Sequence, residues 1–177
     1  MASDLYSQIM NDRGSLERMM ARIPGFEGYL DRAARRKADR MLRDHLAGEL
    51  DQRINRLARI ERALLDKTGL AHMAATNAVK TRLQTYRDRI KTAAPGYSGF
   101  FDAVRIDSEE LEWLYGFDEL QVVYADRLAG ALDTLEQAVN EGGDVEAALR
   151  DLDNLVREAD DAFSQREQKL LNLNISG

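Results

Sequence analysis

Residues 29–68 read YLDRAARRKADRMLRDHLAGELDQRINRLARIERALLDKT, forty residues with no proline and a single glycine. A polar-rich stretch this long with no breaker reads as one helix. Its apolar positions are Leu30, Ala34, Ala38, Leu42, Leu46, Leu50, Ile54, Leu57, Ile60 and Leu64. They recur mostly at intervals of four, which lines them up as a seam. Acids precede bases by four residues at Asp31 and Arg35, Asp39 and Arg43, and Glu49 and Arg53, supporting the same helix locally. At about 1.5 Å per residue it would span about 60 Å. Gly69 is the expected cap, with Leu70 as the hydrophobic contact beyond it.

The flanking sequence is helical as well. Residues 4–22 read as a helix broken at residues 11–14 (NDRG), with Ser15 as the N-cap of its restart. A further helix, about residues 71–94, carries Val79, Leu83, Tyr86 and Ile90. Asp107 with Glu110 three residues on forms a capping-box start for the next, which runs to about residue 140 through Leu111, Leu114, Tyr124, Leu128, Leu132, Leu135 and Val139. After residues 141–143 (EGG), Asp144 caps a last helix with Val145, Leu149, Leu152, Val156, Ala159, Phe163 and Leu170 close to heptad spacing. The expected fold is all-α: an elongated antiparallel bundle of four to five amphipathic helices, one of them about 40 residues long. Residues 1–14 are expected as a mobile or short N-terminal helix, 15–172 as a single domain and 173–177 as a frayed tail.

With 44% hydrophobic and 32% charged residues, the chain has enough apolar material for a core. It has no cysteine, which removes disulfides, thiolate nucleophiles and cysteine-bound zinc together. Its two histidines, His45 and His72, are preceded three residues earlier by Leu42 and Gly69, so the paired Glu-x-x-His pattern of a di-iron bundle is absent. We therefore expect no metal and no cofactor, and no catalytic residue can be assigned. No apolar run approaches the roughly 20 residues of a membrane span, and no secretion signal opens the sequence; a cytoplasmic location is the expectation. The net charge of −6 is unevenly distributed: residues 1–94 hold 19 Lys+Arg and 12 Asp+Glu, a net of +7, and residues 95–177 hold 6 and 19, a net of −13.

Two features are candidates for recognition. Residues 24–29 (PGFEGY) and 95–100 (PGYSGF) share the pattern Pro-Gly-aromatic-x-Gly-aromatic, 71 positions apart. Pro followed by Gly is the chemistry of a type II turn. The aromatics Phe26, Tyr29, Tyr97, Phe100 and the adjoining Phe101 either plug the bundle ends or form a pair of recognition loops. The second feature is a basic stripe of Arg32, Arg36, Arg40 and Arg43, about 200° round the helix from the Leu30–Leu42 part of the seam and so expected to point away from it. It reads as a solvated face, as a surface for an acidic protein partner that includes the chain's own acidic half, or as a contact for anionic phospholipid headgroups. Nucleic acid ranks low, because Asp39 and nearby acids dilute the stripe and the whole chain is negative. Trp113 and Tyr115 read as core.

Residues 23–29 (IPGFEGY), 35–43 (RRKADRMLR), 99–104 (GFFDAV) and 114–118 (LYGFD) together resemble a family of small, uncharacterised bacterial helical proteins, across most of residues 15–140. The resemblance implies a bacterial cytoplasmic helical protein; the family carries no established activity and supplies no catalytic residues. The leading functional expectation is a non-enzymatic scaffold or adaptor that works through helix-face contacts and self-associates as a homodimer. The rivals are a peripheral scaffold on anionic membranes, using Leu5, Ile9, Met10, Met19 and Met20 with the arginine stripe, and an enzyme with an interhelical site.

Overall fold

The computed structural model describes residues 2–12, 14–29, 32–92 and 107–175. Among them the chain is all-helical, with six helices: α1 (Ala2–Asn11), α2 (Ser15–Arg22), α3 (Arg32–Thr68), α4 (Met73–Thr92), α5 (Ser108–Glu141) and α6 (Val145–Ile175). The number exceeds the expected four to five because the break near residue 12 separates α1 from α2. Gly14 sits there at φ 108°, a left-handed geometry that a helix does not carry through. Gly14 also takes the N-cap position, and Arg18 N–H donates to its carbonyl at 3.1 Å. The expected Ser15 cap is thus corrected: Ser15 is already inside the helix.

At 37 residues, α3 is the long helix. From Ala38 onward its seam is buried through Leu42, Leu46, Leu50, Ile54, Leu57, Ile60 and Leu64. The local pairs Asp39–Arg43 and Glu49–Arg53 form, each at 2.7 Å. Gly69 ends the helix, its N–H donating to Leu65 O at 3.0 Å. The hydrophobic contact expected of Leu70 is not made, since Leu70 is 80% exposed. The turn closes instead through Met73 N–H to Leu70 O at 3.2 Å, and the chain re-enters a helix before Leu70 reaches the core.

Ion pairs give the order in which helices lie against one another. Glu61 pairs with Lys80 at 2.5 Å and Asp51 with Arg87, so the order reverses between α3 and α4. Between α3 and α5 it is kept: Arg53 Nε donates to Ala125 O at 3.3 Å, Arg56 pairs with Asp133 at 2.6 Å, and Lys67 Nζ donates to Val139 O at 2.9 Å. It is kept again between α4 and α6, through Arg82 with Asp153 at 2.7 Å and Arg89 with Asp160. Four of these contacts, Arg53–Ala125, Lys67–Val139, Arg82–Asp153 and Arg89–Asp160, join residues 71 or 72 apart, while Arg56 reaches further along α5 to Asp133 and Glu136. The two Pro-Gly-aromatic segments are also 71 positions apart. The pair α3–α4 and the pair α5–α6 therefore lie alongside each other, α3 against α5 and α4 against α6.

The cap of α5 forms as read: Glu110 N–H donates to Asp107 Oδ1 at 2.8 Å, and Asp107 N–H to Glu110 Oε2 at 2.9 Å. Asp144 caps α6 by accepting from Ala147 N–H at 2.9 Å. Leu149, Leu152, Val156, Ala159, Phe163 and Leu170 of α6 join the α3 seam, Val79, Leu83, Tyr86 and Ile90 in one core. The seam leucines of α3 are thus covered within a single chain. The charge asymmetry is likewise met within the chain, by Arg18 with Glu119, Arg22 with Asp126, and the α3–α5 and α4–α6 pairs above. Leu5 and Ile9 of α1 are buried, and Tyr6 packs its ring 4.2 Å from that of Phe117.

Candidate functional site: a buried arginine cluster beneath a basic helix face

A seam spaced by four does not run straight along a helix that turns about 100° per residue; it drifts by about 40° with each step. By Leu46 and Leu50 the buried side of α3 has rotated onto the side that carries Asp39 and Arg43. This corrects the expectation that all four arginines of the stripe point outward. The Arg43 side chain is only 12% exposed and binds Asp39, which is itself buried. Arg36 and Arg40 are exposed, as is Lys37 beside them. Arg32 is the first residue of α3.

Asp39 meets a second arginine from across the bundle. In α6 the heptad positions Leu152, Val156, Ala159, Phe163 and Leu170 leave one place between the last two, and Arg166 occupies it at 1% exposure. Its Nε donates to Asp118 Oδ1 at 2.7 Å, and its Nη2 to Asp39 Oδ1 at 3.4 Å. The other Asp118 oxygen accepts from the Tyr29 hydroxyl. Two carboxylates and two guanidinium groups thus balance inside the core, joining α3, α5, α6 and the segment before α3. Burial pushes the Asp118 carboxyl above the ordinary carboxylate range, while Arg166 and the Tyr29 hydroxyl pull it back. Burial likewise holds the Tyr29 hydroxyl well above its ordinary value. Arg43 Nε and Nη1 are buried with no hydrogen-bond acceptor among the described residues.

The loop that delivers Tyr29 is the first Pro-Gly-aromatic segment. Phe26 N–H donates to Ile23 O at 3.1 Å, closing the turn, with Gly25 at φ 80° as a type II turn requires. Gly28 has φ 85°, and a Cβ there would stand 2.5 Å from the Tyr115 hydroxyl. That absence of a side chain lets Tyr115 accept the Tyr29 N–H at 2.8 Å while its ring stacks on Tyr29, centroids 5.4 Å apart. Phe26 packs edge-on against Tyr29 at 5.9 Å. Phe26 and Tyr29 are both buried and face the core. Tyr97, Phe100 and Phe101 of the second segment lie outside the described residues.

The charged groups of this cluster are bound to one another, and the tie they form fixes three helices in register. Among the described residues, no group of three or more His, Cys, Asp or Glu side chains is placed to hold a metal. His45 is half-buried, and burial lowers its pKa. Of the residues in the membrane reading, Leu5, Ile9 and Met19 are buried in the core, while Met20 is 48% exposed. No helix among the described residues is long and apolar enough to cross a membrane.

Asp118, Arg166 and the inward turn of Asp39 were missed from the sequence, although two signals point to them. One is the basic residue in the vacant heptad place of α6. The other is Asp118 and Gln121 within residues 114–122 of α5, every one of which is buried. Gln121 accepts the Tyr86 hydroxyl at 2.5 Å, a second polar tie through the core. No protein-family model, curated protein or solved structure matches the chain.

Proposed function

We propose that the protein is a non-enzymatic helical adaptor, an elongated bundle of two antiparallel helix pairs working in the cytoplasm through helix-face contacts. Its contact surface is the exposed start of α3, and its partner is an acidic protein surface, first of all a second copy of the chain. The observation that supports this reading is the withdrawal of Asp39 into the core. On the sequence alone Asp39 dilutes the arginine stripe; neutralised by Arg43 and Arg166, it no longer does so. Arg36, Lys37 and Arg40 then stand as exposed cations, with the Glu27 carboxylate 4.0 Å from Lys37.

A matching acidic surface lies where α5 turns into α6, at Glu141, Asp144, Glu146 and Asp151, all exposed. This turn is at the far end of α3, because Lys67 lies against Val139. A two-fold axis would bring each basic end to the partner's acidic end. The seam leucines are used within the chain, so charge must carry the association, which makes it weak and salt-dependent. Light scattering at low salt should give a mass rising towards twice the 20.0 kDa of the chain. Raising the salt, or the double substitution Arg36→Glu with Arg40→Glu, should return it to the monomer. A monomer throughout the micromolar range at low salt would refute the dimer. The anionic-lipid reading stands second, because Leu5, Ile9 and Met19 would first have to leave the core.

A further inference from the structure

α1 is a helix of 10 residues, too short to persist by itself in water. Its order depends on what it touches. Leu5 and Ile9 supply buried area, Tyr6 lies on Phe117, and Met10 lies on Gly116 of α5. Gly116 sits inside a 34-residue helix between two aromatic residues, where glycine is destabilising relative to alanine. A Cβ at that position would collide with Met10 Sδ and come within 3.3 Å of Tyr6 Cε2. The glycine therefore makes a seat for a sulfur atom against bare backbone. The same methionine lines a cavity of about 450 Å³ between α1, α2 and α5, together with Ile9, Leu16 and Tyr115. Small molecules thus have a route to the side chain while α1 stays docked.

We propose that Met10 is a modification site for peroxides, and that its oxidation unlatches α1 from α5. The thioether sulfur attacks the peroxide O–O bond and gains one oxygen, losing two electrons. The peroxide is reduced to water, or to an alcohol where it is an alkyl hydroperoxide. The sulfoxide is larger and strongly polar. Its oxygen cannot fit on the Gly116 side, where the sulfur lies against bare backbone and the Tyr6 ring, so the sulfoxide must leave that seat and turn towards the cavity bordered by Ser15, Glu17 and Glu112. Release of α1 then uncovers the Gly116–Phe117 part of α5. Two other methionines are internal controls. Met20 is 48% exposed and Met19 1% exposed, and both lie on α2.

The test treats the intact protein with graded hydrogen peroxide and follows two quantities by mass spectrometry: sulfoxide at each methionine and amide exchange of α1. Met20 and Met10 should oxidise while Met19 stays reduced. Exchange of the α1 amides should rise several-fold in proportion to Met10 sulfoxide, and methionine sulfoxide reductase with a thiol reductant should reverse it. Met10→Leu should abolish the response and Met20→Leu should leave it intact. If Met10→Leu loosens α1 by itself, the reductase reversal in the unaltered chain decides. The proposal is overturned if Met10 stays reduced while Met20 oxidises, or if α1 exchange is unchanged in protein carrying Met10 sulfoxide. A Met10→Leu protein that responds as the original does would also overturn it.

Discussion

Replacing Arg166 by methionine removes a cation while nearly keeping the volume of its stem. Two buried carboxylates would be left facing each other: Asp118 at 0% exposure, held by the Tyr29 hydroxyl, and Asp39 at 3%, held by Arg43. Breaking a buried ionic tie from one side costs about 3–5 kcal/mol, because the remaining charge stays desolvated without its partner. For a chain of this size, about 2–4 °C of melting temperature corresponds to each kcal/mol. Arg166→Met should therefore melt roughly 6–20 °C below the original protein at neutral pH. The pH dependence carries a definite sign. Asp118 is already raised by burial, and Arg166 is the largest influence lowering it, so the substitution raises it further. A folded-state pKa above the unfolded one means that the folded protein binds the extra proton. Stability is then lost as pH rises from the unfolded value, about 3.9, through the folded one. The deficit of the variant should accordingly be smaller at pH 5 than at pH 8. Adding Asp39→Asn and Asp118→Asn should recover part of the loss by removing the stranded charges. Differential scanning calorimetry at both pH values measures all of this. A single substitution that melts within about 2 °C of the original, less than about 1 kcal/mol by the same scaling, would refute the reasoning.

Other consequences follow from the same contacts. Gly28→Ala forces an alanine to φ 85° and against the Tyr115 hydroxyl, and should cost about 1–3 kcal/mol in urea unfolding. Tyr115→Phe leaves the buried Tyr29 N–H without its acceptor and should cost about 1–3 kcal/mol in the same assay. Asp107→Ala removes the side-chain acceptor of the Glu110 N–H while leaving the backbone N–H at 107 to Glu110, and should cost about 1 kcal/mol, with faster amide exchange confined to the first turn of α5. Burial raises the Tyr6 hydroxyl from 10.0 to about 12. The unfolded chain ionises first, so stability should fall as pH rises from 10, and ultraviolet titration of the folded protein should show a tyrosine ionising near 12.

Much of the fold was legible because it rests on local rules. The start of α5 at Asp107 and the start of α6 after Asp144 follow from which side chain satisfies an orphan N–H, and that chemistry is complete within four residues. The end of α3 at Thr68 follows similarly from Gly69. The α3 seam and the α6 heptads are readable because helical period alone places those side chains on common faces.

What tertiary structure alone decided is which faces are turned inward, and against what. Arg36, Arg40 and Arg43 share one side of α3 in sequence, yet the drift of the seam leaves two of them in solvent and turns the third towards the core. Asp39 could be assigned inside only once Arg166 had arrived from a helix more than a hundred residues away. The same is true of the opposed charges of the two halves. Their sum is a property of composition, but whether they meet within one chain or between two depends on the packing of α3 against α5 and α4 against α6. A carboxylate enters a core only when a partner enters with it, and no local rule of sequence can say that the partner has come.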